Sequence, residues 1–216
     1  MKGKINIALL LLITIIFSCK TNGKPEGFDY GKVENNVYNN SFFNFKASLP
    51  AEWIVQSKEQ TENLVEKGKD IVAGEDDNLK AVIKASEINS AYLLTVFKYE
   101  VGAAVDYNPS LMLIAENLKL APGIKKGSDY LFQTRKLLKQ SQIQYNHIDN
   151  EFEKVKVGNY EFYKMELDLN HTGINIKQNY YSTISNGFSF SVIISFVTEN
   201  QKKELEKILD TFEFKK

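Results

Sequence analysis

An α+β domain, with helices packed on the faces of an antiparallel sheet, is what this sequence predicts. Three observations lead there. Period-two alternation recurs through the last third of the chain, helical periodicity fills its middle, and a capped helix returns after the final alternating run. Strands joined by short turns pair antiparallel, and the helices around them must bury their apolar stripes on that sheet.

Phe43, Phe45, Ala47 and Leu49 share one parity against Asn44, Lys46 and Ser48, a half-buried strand that stops at Pro50. Trp53-Ile54-Val55 reads as a second, short edge piece. Ser57 and Gln60 have capping-box spacing, and Leu64, Val65, Gly68, Ile71 and Val72 continue one helical face. Glu75-Asp76-Asp77 reads as a solvated turn, because it lacks the spacing and the glycine of a calcium loop. Ala91 to Val101, rich in Tyr, Leu, Val and Phe, predicts a buried strand. Asn108 and Pro109 carry helix-start chemistry, which puts Leu111, Ile114, Ala115 and Leu118 on a helical stripe ending at Pro122-Gly123. Another helix is expected from Ser128 over Tyr130 to Gln140.

Strands follow. Tyr163, Met165, Leu167 and Leu169 alternate with Lys164, Glu166 and Asp168, and Ile174 to Ile184 comes next. In the last strand Phe188, Phe190, Val192, Ile194 and Phe196 alternate with Ser189, Ser191, Ile193 and Ser195. Asn186-Gly187 joins the final two as a tight hairpin, since both residues tolerate positive φ. Thr198 and Gln201 form a second capping box, and Leu205, Ile208, Leu209 and Phe212 lie on one face of the helix it opens.

Residues 41–216 therefore read as one domain. Residues 19–40, with three glycines, Pro25 and five asparagines, read as a mobile tether spanning about 25 Å as a coil. Within the domain, Phe42-Phe43-Asn44-Phe45-Lys46-Ala47-Ser48-Leu49-Pro50-Ala51-Glu52-Trp53 resembles the opening "F-x-F-x-x-P-x-x-W" of PsbP-like and DcrB-like proteins. Val157-Gly158-Asn159-Tyr160-Glu161-Phe162-Tyr163 and the terminal Phe212-Glu213-Phe214 match its other end. The resemblance implies an α/β/α sandwich and a non-enzymatic accessory or binding protein.

The first 19 residues carry a different signal. Lys2 and Lys4 precede an apolar run from Ile5 to Phe17, whose thirteen helical residues reach about 20 Å, short of the ~30 Å needed to span a bilayer. Residues 1–18 thus read as a secretory signal peptide. Ile16-Phe17-Ser18-Cys19 resembles the lipobox of bacterial lipoprotein signal peptides, with Phe17 where a small residue is usual. That resemblance implies cleavage before Cys19 and acylation, with palmitate and diacylglycerol, of the only cysteine. A free cysteine ending a simple signal peptide or a marginal anchor helix is the alternative. Lys20 with no acidic cluster behind it resembles the sorting pattern for the outer membrane, facing the periplasm.

Composition excludes several classes. Basic and acidic side chains number 27 each, so no basic excess invites nucleic acid. One cysteine permits neither an internal disulfide nor a Cys-based zinc site. G-x-S-x-G, H-E-x-x-H and phosphate-binding glycine motifs are all missing from the sequence. One candidate metal set is present. His147, Asp149, Glu151 and Glu153 recur at spacing two, so an extended backbone would aim all four from one face at a zinc or manganese ion. The bland reading is a solvated edge strand whose charges discourage pairing. Tyr180 and Tyr181 should face opposite sides of the sheet, at least one as ligand-facing or seam-covering surface. Arg135, the only arginine, is expected in a surface salt bridge or as an interface anchor.

These observations lead to a lipid-anchored, non-catalytic binding or accessory protein of the cell envelope. It has no required cofactor, is anchored in the membrane, and has a protein partner. An envelope immunity or stress-protection lipoprotein that binds a toxin or an envelope complex is the alternative, and a divalent-cation-binding protein is a further one.

Overall fold

The computed structural model describes residues 23–215, so the signal peptide and Cys19 lie outside the described residues. The chain runs β1 (Lys32–Glu34), β2 (Val37–Asn40), β3 (Phe45–Ser48), β4 (Ile54–Val55), α1 (Lys58–Ala73), α2 (Asp77–Asn89), β5 (Ser90–Phe97) and β6 (Ser110–Asn117). It continues through α3 (Gly127–Gln140), β7 (Tyr145–Ile148), β8 (Glu153–Val157), β9 (Tyr160–His171), β10 (Ile174–Ser185), β11 (Phe188–Phe196), α4 (Glu199–Leu209) and β12 (Glu213–Phe214). Among the described residues no helix is long and apolar enough to cross a membrane.

The expected α+β class is what forms, as three layers. The middle layer is an antiparallel sheet in the order β4-β5-β6-β11-β10-β9-β7, with β8 also on β9. Its register sets two faces. Tyr180 stands opposite Met165 and Ile193, while Tyr181 stands opposite Lys164 and Val192. On the Val192 face a four-stranded sheet, β1-β2-β3-β12, and α4 enclose the larger core. On the opposite face α3 buries Leu131 against Met165, Leu167 and Leu169, with α1 and α2 beside it on β5 and β6.

The larger core is mainly aromatic. Phe45 packs on Phe190 at 5.0 Å between ring centroids, on Phe212 at 4.9 Å and on Phe214 at 4.8 Å. Edge and tilted contacts at such distances contribute about 0.5–1.5 kcal/mol each beyond burial. From the Phe-rich opening segment, Phe45 and Ala47 give the small sheet its inner face, and Phe42 and Phe43 lie in the turn before it.

Three expectations are corrected. Residues 28–40, expected in the tether 19–40, are folded: β1 and β2 pair through Asn35 and Asn36, both at positive φ, and Tyr38 is buried. Phe28 packs at 4.7 Å on Phe42. Segment 110–117, expected as a helix, is the central strand β6, with Leu111, Leu113 and Ala115 buried on one side. The acidic trio is a helix start, because Asp76 caps α2 by accepting from the Leu79 N–H at 3.0 Å.

Candidate functional site

The site-like feature lies on the three-helix face, where α2, the loop after β6 and α3 surround exposed sheet. Serines make room for it. Ser182, Ser189 and Ser191 occupy the face of β10 and β11 on which α3 lands, and Gly127 begins that helix so close that any β-carbon would overlap the Ser182 carbonyl. Small residues on both sides let α3 press onto the sheet at its start. A groove of about 610 Å³ results. Val82, Ala85, Ile114, Leu137, Tyr180 and Ile193 give it apolar walls.

One acid sits in it. Strand parity places Glu116 of β6 on this face, and its two oxygens are divided between neighbours. Ser86 Oγ donates to Oε1 at 3.0 Å, and the Tyr130 hydroxyl donates to Oε2 at 2.7 Å. Burial, reinforced by the Glu116 charge, pushes the Tyr130 phenol well above its usual range. Tyr92, nearby on β5, is pushed up to about 12 by burial and then by Glu87. Both phenols therefore stay protonated at neutral pH. The Ser189 side chain is buried beside the Tyr130 hydroxyl.

The metal candidates fare differently from their extended-strand expectation. β7 ends at Ile148, and the chain turns before β8 begins at Glu153. His147 Nε2 and Asp149 Oδ1 meet at 2.8 Å. Asp149 also accepts the Glu166 N–H through Oδ2 at 2.8 Å, which fastens the turn to β9. Glu151 is exposed in the turn, and Glu153 pairs instead with Lys164 at 2.8 Å. Among the described residues no three His, Cys, Asp or Glu side chains gather into a metal-holding group. The spacing-two argument fails because the turn between β7 and β8 interrupts the extended backbone after Ile148.

That turn explains Arg135. Among the described residues its guanidinium forms no salt bridge. It donates to the Asp149 carbonyl at 3.1 Å and to the Asn150 carbonyl, and it lies over the rings of Phe152 at 4.9 Å and Phe132 at 5.3 Å. It is a clasp holding the β7–β8 turn to α3. Tyr180 and Tyr181 do face opposite sides, Tyr180 lining the groove and Tyr181 entering the aromatic core. His171 is exposed at the β9–β10 turn.

Sequence reasoning missed Glu116, Ser86 and Tyr130 as a group. Glu116 lay in the misassigned helix, and Ser86 in the unrecognised α2. The available signal was the alternation Met112, Ile114, Glu116 against Leu111, Leu113, Ala115.

No family model matches this sequence, and no curated protein does. Similar solved structures exist. A crystal structure from Bacteroides thetaiotaomicron shares 11% identity at a TM-score of 0.46, covering 85% of this chain and 50% of that one. The chain thus spans about half the length of the Bacteroides protein. LpqN, involved in cell envelope biogenesis of Mycobacterium tuberculosis, shares 11% identity at a TM-score of 0.41, covering 77% and 79%. Cyanobacterial PsbP (CyanoP) from Synechocystis shares 11% identity at 0.46, covering 86% and 98%. Likenesses this distant carry no argument about what the chain does.

Proposed function

We propose that this chain is a lipid-anchored, non-catalytic binding protein of the bacterial envelope, acylated at Cys19 and working through the groove between α2, α3 and the sheet. The chemistry of that groove is the observation that carries the reading. Its walls are apolar, and its one carboxylate already accepts a hydrogen bond on each oxygen. An acid–base catalyst needs a group free to exchange a proton with substrate. Glu116 is committed to Ser86 and Tyr130, and the Tyr130 phenol holds its proton far above neutral pH. What the groove offers is mainly apolar area, with Gln133, Lys136 and Gln140 among its polar lining, and burial of the apolar part contributes about 25 cal/mol per Å².

The basic, apolar leader ending at Ser18-Cys19 supports the anchor, and Lys20 supports an outer-membrane position facing the periplasm. Several acyl chains on one residue hold a protein stably where one does not. Labelling cells with a clickable palmitate analogue tests the anchor. The wild-type chain should take up label and fractionate with membranes, and Cys19→Ser should lose both. Native mass spectrometry of the acylated chain tests the groove: an apolar adduct is expected on the wild type and should be lost on Ile193→Asn. Label or membrane retention on Cys19→Ser would refute the anchor, and an adduct unaffected by Ile193→Asn would refute the groove.

A further inference from the structure

We propose that the face formed by Lys24, the C-terminal half of α2 and the β6–α3 loop is a docking surface for anionic phospholipid, and that it lies against the bilayer. The inference rests on the acyl anchor proposed above, and it begins with where the described chain starts. Asn117 Nδ2 donates to the Gly23 carbonyl, and Lys24 Nζ donates to the Ile88 carbonyl at 3.3 Å. Gly23 is wedged so closely that a β-carbon there would stand 2.8 Å from Asn89 Cα. The start of the domain is therefore fixed to the seam between the end of α2 and the end of β6.

Only four residue steps separate Gly23 from Cys19, about 14 Å at full stretch. An acylated cysteine sits at the boundary between headgroups and hydrocarbon. Whatever surrounds Gly23 must then stand within that distance of lipid.

The surroundings suit it. Leu120 is 82% exposed, Ile88 61% and Val82 51%. Single exposed apolar side chains are ordinary, but these three border two adjoining depressions that share Leu120. Ile88 and Leu120 flank a hollow of about 720 Å³ that also holds Gly23 and Lys24, and Leu120 and Val82 flank the groove next to it. Among the described residues no acidic side chain lines that hollow, whereas Lys24 and Lys119 do. Lys119 has no carboxylate within salt-bridge distance among the described residues. Lys24 also borders a second hollow that holds Glu62 and Glu87, so Lys119 is the cation of this face that stands away from carboxylates. Lipid phosphate pairs with these ammonium groups, and the apolar side chains enter the interface about 5–10 Å deep.

The test uses the full acylated chain, whose own thiol is blocked, in vesicles of phosphatidylglycerol and phosphatidylcholine with brominated acyl chains. An environment-sensitive fluorophore is placed on Leu120→Cys or, on α4 in the layer beyond the sheet, on Asn200→Cys. The Leu120 label should shift to the blue and be quenched several-fold more than the Asn200 label. Lys24→Glu with Lys119→Glu should reduce that difference. Equal quenching at the two positions in vesicles that float with the protein overturns this surface while leaving the anchor intact. Protein that fails to float overturns both. Shielding of Leu120 in intact cells but not in pure lipid also overturns the proposal and gives the face to a protein.

Discussion

Replacing Gly158 by alanine should destabilise the domain far more than the same change at Gly173, and the reason is local. Both glycines occupy turns at positive φ, +55° and +84°, where an alanine costs about 1–2 kcal/mol. A β-carbon at Gly173 would meet nothing within 4 Å. At Gly158 it would overlap the Phe212 carbonyl oxygen and stand 2.9 Å from Phe212 Cβ. Relief requires lifting the β8–β9 turn from the α4–β12 corner. The bonds then at risk are Asn159 N–H to the Phe212 carbonyl at 3.2 Å, Asn159 Nδ2 to the Phe214 carbonyl at 2.9 Å, and Phe214 N–H to Asn159 Oδ1 at 2.9 Å. At about 1 kcal/mol net for each bond, Gly158→Ala should cost about 4 kcal/mol and Gly173→Ala about 1. For a domain of this size the gap corresponds to about 6–12 °C in melting temperature. Equilibrium urea unfolding of the two variants beside the wild type measures it. Two variants within 1 kcal/mol of each other would refute the packing argument and leave torsion alone as the cost.

Other outcomes follow from the same geometry. Arg135→Ala should cost about 1–3 kcal/mol and speed amide exchange at Glu166, and Arg135→Lys should not restore it, since an ammonium lacks the planar fork that spans two carbonyls and two rings. Tyr130→Phe removes a charge-directed hydrogen bond and should lower stability by about 1.5–3 kcal/mol in urea titrations. The Lys164 ammonium is drawn down by burial but raised more strongly by Glu153 and Glu166, so its net shift is upward. Its stabilising contribution is therefore complete at neutral pH and fades as pH climbs above the ordinary lysine value of 10.5. The urea midpoint of Lys164→Met should trail the wild type near neutrality and converge on it in strong alkali.

Much of this fold is legible in the residues where polar and apolar side chains separate by face. The helix after Thr198 shows its stripe at Leu205, Ile208 and Leu209, and β9 shows its alternation, since each has a polar side to contrast with. β6 is different. It lies between two packed layers, so apolar side chains point both ways, and Leu111, Ile114, Ala115 and Leu118 satisfy a helical period by accident. Asn108, read as a cap, instead accepts the Tyr99 N–H through Oδ1 and donates from Nδ2 to the Tyr99 carbonyl, pinning the loop ahead of β6. The stretch before Ser41 misleads by composition. Its asparagines are structural: Asn40 donates to the Asp29 carbonyl and accepts from the Phe43 N–H, work that leaves no hydrophobic trace. The groove was hidden for the same cause, because Glu116 and Ser86 acquire meaning only once β6 is a strand and α2 exists.

The small sheet has a consequence for biogenesis. Its inner strand meets β12 through Lys46 opposite Glu213 and Phe45 opposite Phe214, so residues near opposite ends of the domain are hydrogen-bonded neighbours. A nascent polypeptide cannot complete the cage around Phe45 until Phe212 and Phe214 have been synthesised. The core around Phe45 therefore closes only once β12 is in place, and removal of residues 212–216 would leave it open at one side.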